Sequence, residues 1–132
     1  MKLSYITMVV VAIIILTCAI IGVSVLTQGL LARDSAKLEQ SISAIERGTI
    51  SKDWNQAKAG QKEVADTWSK VKGTWSALID HQEIDNIDVT LTRLEMLIQA
   101  EEMPSALSEA AALKKYIGHI PAKEKLNLEN LF

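Results

Sequence analysis

The residues best suited to chemistry are one histidine and two aspartates in the second half of the chain. In a helix His81, Asp85 and Asp88 fall at positions i, i+4 and i+7, so an imidazole and two carboxylates share a face. Such groups can bind a divalent metal. The spacing is equally typical of a helix start, where acidic side chains stabilise the positive end of the helix dipole. We favour the second interpretation and predict no metal site.

The other histidine, His119, is predicted to lie near the end of the last helix. An imidazolium there stabilises the helix C-terminus, and we favour this capping or packing role over catalysis. The sequence holds no G-x-S-x-G, P-loop or H-E-x-x-H motif. Its one cysteine, Cys18, lies in an apolar run, so the remainder can form no disulfide or thiolate site. We therefore predict no enzyme, no catalytic residues and no cofactor.

The balance of charge argues against a nucleic-acid partner. Lys2 is the only charged side chain before Arg33. The segment from Arg33 onward, with Arg33 included, holds 13 basic and 16 acidic residues and so has a net charge of −3. Proteins that bind DNA or RNA usually carry a basic patch or stripe. We expect no nucleic acid to bind.

An uncharged apolar run, residues 3–31, is longer than the ~20 residues that a helix needs to span a bilayer. We predict an N-terminal transmembrane anchor over residues 1–32 and a soluble helical-bundle domain over residues 33–132. A cleaved secretory signal is one alternative, although its apolar core is usually ~7 to 15 residues long. A lipoprotein is another, but Thr17 is a poor residue before Cys18.

The side of the membrane follows from the basic residues that flank the run. Lys2 and the amino terminus stand on one side and Arg33 and Lys37 on the other, so the positive-inside rule is nearly balanced. We favour a single-pass signal anchor with the soluble domain outside the cytoplasm.

Two helices are expected directly after the anchor. The first covers Arg33 to Arg47, continues out of the membrane helix and stops near Gly48. The second covers Ser51 to Ile79, with Ser51 as N-cap. The second carries a heptad seam over four repeats, which indicates packing of all three tryptophans in the core. The seam consists of Trp54, Ala57, Gln61, Val64, Trp68, Val71, Trp75 and Leu78.

Two further helices complete the expected fold. The third covers His81 to Glu102, where Asp80 can cap the helix and Glu83 can complete a capping box. Its apolar face is Ile84, Ile87, Leu91, Leu94 and Ile98. The fourth covers Pro104 to Ile120, and Pro121 is expected to end it. The tail, Ala122 to Phe132, is expected to dock onto the bundle.

These elements predict an all-α protein, in which an N-terminal transmembrane helix precedes a small antiparallel bundle of about four helices. Charge supports the antiparallel arrangement. Residues 47–72 hold six bases and three acids, whereas residues 80–109 hold eight acids and one base. Antiparallel packing places these opposite charges side by side, which favours register more than stability.

Several stretches resemble a known family of bacterial proteins. These are residues 68–94, with the segment Trp75 to Asp88 and the pair Arg93 and Leu94, then Ile117 to Pro121 and Leu126 to Phe132. Together they are similar to the uncharacterised domain-of-unknown-function family four-three-six-three. The resemblance implies a small single-pass protein in a bacterial cell membrane. It implies no activity.

The sequence leaves more than one class of function open. Our leading hypothesis is a membrane-anchored, noncatalytic helical module that binds a protein partner or a second copy of itself. The alternative is an extracytoplasmic domain that senses a small ligand or a metal, through His81, Asp85 and Asp88 or a groove beside the tryptophans. An enzyme with an unfamiliar site is a third hypothesis.

Overall fold

The computed structural model describes residues 4–131, and over that range the chain forms four α-helices. They are α1 (Tyr5–Ile50), α2 (Trp54–Leu78), α3 (His81–Gln99) and α4 (Met103–Leu131). Helices α1 and α3 each pack against both α2 and α4. Because the connections are only two or three residues long, consecutive helices run antiparallel in a four-helix bundle. The predicted all-α class is confirmed.

Helix α1 passes without a break from the apolar run into the bundle. Its N-terminal part contains an 18-residue window of mean hydropathy 3.1, and none of that window is buried. By length and composition α1 is a candidate membrane span, although a signal sequence has the same properties. From Leu31 onward one face of the helix is buried, including the predicted Leu38, Ile42 and Ile45. One helix therefore serves as both apolar segment and bundle wall.

The core contains most of the residues that the apolar spacing predicted. Trp68 and Trp75 are buried, whereas Trp54 is only half-buried at the far end of α2. The whole predicted face of α3 is buried, and so are Ala110, Leu113 and Ile117 of α4. The heptad spacing of α2 thus located most of its inward face, although the last member of the predicted seam, Leu78, is exposed.

The boundary between the first two helices differs from the prediction. The N-cap of α2 is Asp53, whose carboxylate accepts a hydrogen bond from the Gln56 backbone N–H (3.1 Å), and not Ser51. The Ser51 hydroxyl instead donates back to the Arg47 carbonyl (2.9 Å) at the end of α1. Helix α1 also continues past Gly48 to Ile50. A Cβ on Gly48 would lie 2.8 Å from the Ala57 backbone nitrogen, so this glycine permits close helix packing rather than a helix stop.

The prediction that Pro121 ends the fourth helix is wrong, because α4 continues to Leu131. Proline has no N–H to donate to the carbonyl four residues before it, here that of Ile117. The Ser35 hydroxyl of α1 lies 3.1 Å from this carbonyl oxygen and donates to it. A neighbouring helix thus satisfies the carbonyl that the proline leaves open. The third helix is also shorter than predicted, since α3 ends at Gln99 rather than Glu102.

The segment expected as a separate tail is the last part of α4 and lies beyond the end of the four-helix bundle. Residues 122–131 extend α4 beside the apolar part of α1, where Lys125 and Leu128 line a groove with Ile21 and Val25. One link to the bundle is the ion pair between Lys123 Nζ and Glu83 Oε1 (3.2 Å). Phe132 lies outside the described residues. The tail therefore docks mainly along α1.

Candidate functional site

The start of α3 carries the most chemically suggestive residues. Asp80 is its N-cap, as predicted, and accepts a hydrogen bond from the Gln82 backbone N–H (2.9 Å). Glu83 does not complete a capping box but pairs with Lys123 of α4. Asp80 thus caps the start of α3, and the Glu83 carboxylate in its first turn forms an ion pair with α4.

The three candidate metal ligands differ in their exposure and in their hydrogen-bond partners. His81 and Asp85 are exposed. Asp88 is half-buried and already occupied, because its carboxylate accepts a hydrogen bond from Trp68 Nε1 (2.7 Å) and pairs with Lys72. Among residues 4–131 no three side chains of the metal-binding types form a cluster. Asp88 here serves as a link between α2 and α3.

The two buried tryptophans contact each other, and one of them donates a hydrogen bond to a buried carboxylate. Their rings pack edge to face, with centroids 5.5 Å apart. Trp75 Nε1 donates to Asp34 Oδ2 (3.2 Å), and Asp34 is only 8 % exposed. Asp34 was missed by the sequence analysis. The spacing contained the information, since Asp34 lies three residues after Leu31 and four before Leu38, on the buried face of α1.

His119 does not occupy the position that the sequence suggested. The prediction placed it near a helix C-terminus, but α4 continues for twelve residues beyond it. Its side chain is exposed. The prediction that His119 stabilises the C-terminus of the last helix is therefore wrong.

The outward face of α3 carries a row of exposed side chains with little charge, which we call the outer stripe. It consists of Gln82, Asp85, Val89, Thr92, Met96 and Gln99, and all six are exposed. Their spacings alternate between three and four residues, the repeat of a helix-packing seam. Val89 and Met96 are 52 % and 65 % exposed, so two apolar side chains face water at its centre.

Opposite charges meet along the junction of α2 and α3, as predicted for an antiparallel pair. Lys72 pairs with Asp88 in the half nearer the α2–α3 connection. At the other end Lys58 Nζ lies 3.5 Å from Glu101 Oε1. Both pairs are partly exposed, so they contribute more to register than to stability.

Between these two ion pairs the surface opens into a groove of about 370 Å³. Its lining includes Lys58, Lys62 and Glu95, with Gln61 and Ile98 also contributing. Gln61 is the single polar member of the α2 seam and is only 5 % exposed. Its amide nitrogen donates to the Leu91 carbonyl (3.4 Å), while its oxygen has no hydrogen-bond partner in the described part of the chain.

The fold and surfaces define a small antiparallel four-helix bundle that is continuous with an apolar N-terminal helix. The chain belongs to the family described as Domain of unknown function (DUF4363), whose model matches residues 25–131. The resemblance noted from the sequence is thereby confirmed. Neither a curated protein nor a solved structure matches the chain.

Proposed function

We propose that this protein is a noncatalytic module, anchored in a bacterial cell membrane by α1, that binds another protein through the outer stripe of α3. The anchor has its short N-terminus in the cytoplasm and the bundle outside. The exposed outer stripe is the observation that carries the binding proposal.

The surface of α1 supports the anchor. Ile13, Ile14 and Ile15 are 57 %, 56 % and 63 % exposed, and every side chain from Ser4 to Val23 is exposed. Soluble monomers rarely expose a continuous apolar surface of this length. A bilayer removes it from water, and the helix satisfies its own backbone hydrogen bonds there.

The spacing of the outer stripe supports a helical partner. Side chains at alternating intervals of three and four residues form the seam that a second helix can pack against. Burying Val89 and Met96 contributes roughly 1.5–3 kcal/mol each. The remaining stripe residues are polar, so the geometry favours a reversible contact over an obligate one.

A photo-crosslinking amino acid at position 96 of the tagged full-length chain tests the contact in living cells. We expect one adduct, and its mass distinguishes a second copy of this chain from a different protein. The same crosslinker at Ser69, an exposed position of α2, is the control. Equal adducts from both positions, or none from position 96, would contradict the proposal.

A substitution pair tests whether the two apolar side chains carry the binding. Replacing Val89 and Met96 by Ser should remove the adduct formed from a crosslinker at Thr92 while the thermal unfolding of the bundle stays unchanged. Ile50→Ser removes an exposed apolar side chain, 64 % exposed, at the end of α1 and should preserve the adduct. Retention of the adduct in the double variant would show that Val89 and Met96 do not carry the binding.

The groove between α2 and α3 favours a second candidate function, the binding of a small ligand. An unpaired buried carbonyl oxygen costs about 1–3 kcal/mol, and a ligand that donates an N–H or O–H to Gln61 could recover part of this. Lys62, which forms no ion pair among residues 4–131, favours a carboxylate on the same ligand.

A thermal-shift screen of small amino- and hydroxy-carboxylates tests this second candidate, because a ligand of the native state raises its stability. Gln61→Met keeps the volume and should abolish any shift, whereas Asn55→Met, at an exposed site of α2, should keep it. Absence of a shift with every compound counts against sensing through this groove.

A further inference from the structure

Helix α4 is longer than the bundle to which it belongs. The bond from the Ser35 hydroxyl to the Ile117 carbonyl fixes these two residues at one height. Fourteen residues follow Ile117 in α4, which extend it by about 21 Å. Since α4 runs antiparallel to α1, this extension descends beside the apolar part of α1.

The extension and α1 enclose a groove of about 260 Å³. Ile21, Val25 and Leu128 give it apolar walls, and its polar lining consists of Ser24, Gln28, Lys125 and Glu129. Its α1 side is continuous with the exposed apolar surface that begins at Tyr5. An occupant can therefore enter from the lipid-facing side of α1 without crossing the bundle.

The length of α1 sets the depth of this groove if the helix spans a bilayer. A hydrocarbon layer of about 30 Å takes ~20 residues, which leads from Tyr5 to Val25. The groove thus lies at the outer edge of the hydrocarbon layer, where acyl chains meet headgroups. Leu126, 59 % exposed, lies on the same extension.

We propose that this groove binds a membrane phospholipid, with an acyl chain against Ile21, Val25 and Leu128 and the headgroup phosphate at Lys125. The inference rests on the proposed anchoring by α1. Lys125 forms no ion pair within residues 4–131, and a lysine can lay its stem along apolar surface while its ammonium group reaches the headgroups. The bound lipid joins α4 to the bilayer as a second attachment.

Depth measurements on the full-length chain in vesicles of phosphatidylcholine and phosphatidylglycerol test the position of the extension. In a Cys18→Ser background, single cysteines replace Leu126, Val11 or Val89 and carry an environment-sensitive fluorophore. Spin-labelled lipids should quench the fluorophores at positions 11 and 126 and spare position 89 on the outer stripe.

The three positions separate the two proposals. Quenching at position 11 without quenching at position 126 would overturn the lipid site and leave the anchor intact. An absence of quenching at both would overturn the anchor, and the lipid site with it.

A charge reversal tests the headgroup contact. In native mass spectrometry with added phosphatidylglycerol, Lys125→Glu should lower the fraction of protein carrying one bound lipid at least threefold. Lys70→Glu, at an exposed site of α2, is the matched control and should leave that fraction unchanged. Equal retention by the two variants would overturn the assignment of Lys125 to the headgroup.

Discussion

Residues 5–30 and residues 31–50 belong to the same helix, yet they meet different surroundings. The first part buries none of its side chains, although it is the most apolar stretch of the chain. The second part is more polar and buries Leu38, Ile42 and Ile45 completely. Hydrophobicity alone thus does not identify the core of this protein. Periodicity does, because only the second part restricts its apolar residues to one face.

Glycines show the same contrast between the two parts of α1. A Cβ added to Gly22 or Gly29 would have nothing within 4 Å. At Gly48 it would lie 2.8 Å from the backbone nitrogen of Ala57 in α2 and 3.0 Å from the carbonyl oxygen of Asp53, the N-cap of α2. The first part of α1 thus makes no close helix contact at its glycines, whereas the second part lies directly against α2.

The largest expected difference between the two parts comes from truncating a buried side chain. Ile42→Ala should lower the free energy of unfolding of the bundle by about 2–5 kcal/mol, since it removes packed atoms and leaves a cavity. Ile14→Ala should leave it nearly unchanged. Denaturant unfolding in detergent micelles, followed by tryptophan fluorescence, measures both. Similar losses would show that residues 5–30 also stabilise the bundle.

A pair of glycine substitutions should give the next largest difference. Gly48→Ala should lower the free energy of unfolding by about 1–3 kcal/mol, because the added methyl group clashes with backbone atoms that cannot move away as a flexible side chain would. Gly22→Ala should change the unfolding free energy little. The same unfolding measurement applies, and a stable Gly48→Ala variant would show that α1 and α2 can separate at low cost.

The two buried tryptophans should differ in their response to loss of the indole N–H. Trp75→Phe leaves the buried Asp34 carboxylate without its indole donor and should cost about 1–3 kcal/mol. Trp68→Phe should cost less, because Asp88 keeps its close pairing with Lys72, whereas Asp34 keeps only the exposed Arg33, whose Nη2 lies 3.7 Å from Asp34 Oδ1. Equal costs would mean that Arg33 or water replaces the indole N–H as the partner of the Asp34 carboxylate.

The smallest effect concerns the hydroxyl that compensates for Pro121. Ser35→Ala should cost about 1 kcal/mol, since the Ile117 carbonyl then lacks a donor. In a Pro121→Ala background the restored N–H can bond to that carbonyl, so the cost of Ser35→Ala should shrink. A double-mutant cycle measures this coupling. Additive costs would rule out a shared carbonyl.

The sequence predicts most of the architecture because the helices obey local rules. The heptads of α2 and the apolar face of α3 identify the core, and Asp80 correctly marks the start of α3. Pro121 was misjudged because its compensating donor, Ser35, is 82 residues away from the carbonyl it serves. No local pattern contains that hydrogen bond. Gly48 was misjudged because its close neighbours belong to another helix.

The candidate surfaces were only partly predictable. Continuing the heptads of α2 through the connection places Gln82, Val89 and Met96 at one seam position of α3, which anticipates the outer stripe. The break at Ile79 and Asp80 turns that register away from the core. By contrast, the groove beside the α4 extension depends on how far α4 continues past Pro121. Only the tertiary structure brings these residues together.

The continuity of α1 has a mechanical consequence. A single rod of 46 residues is about 69 Å long, and it has no hinge between its apolar part and the bundle. When a bilayer is thinner or thicker than the apolar part, a helix commonly tilts to match it. A tilt of about 10° displaces the far end of the rod, about 38 Å above Val25, by roughly 7 Å. Bilayer thickness would then set the reach and angle at which the bundle meets its surroundings.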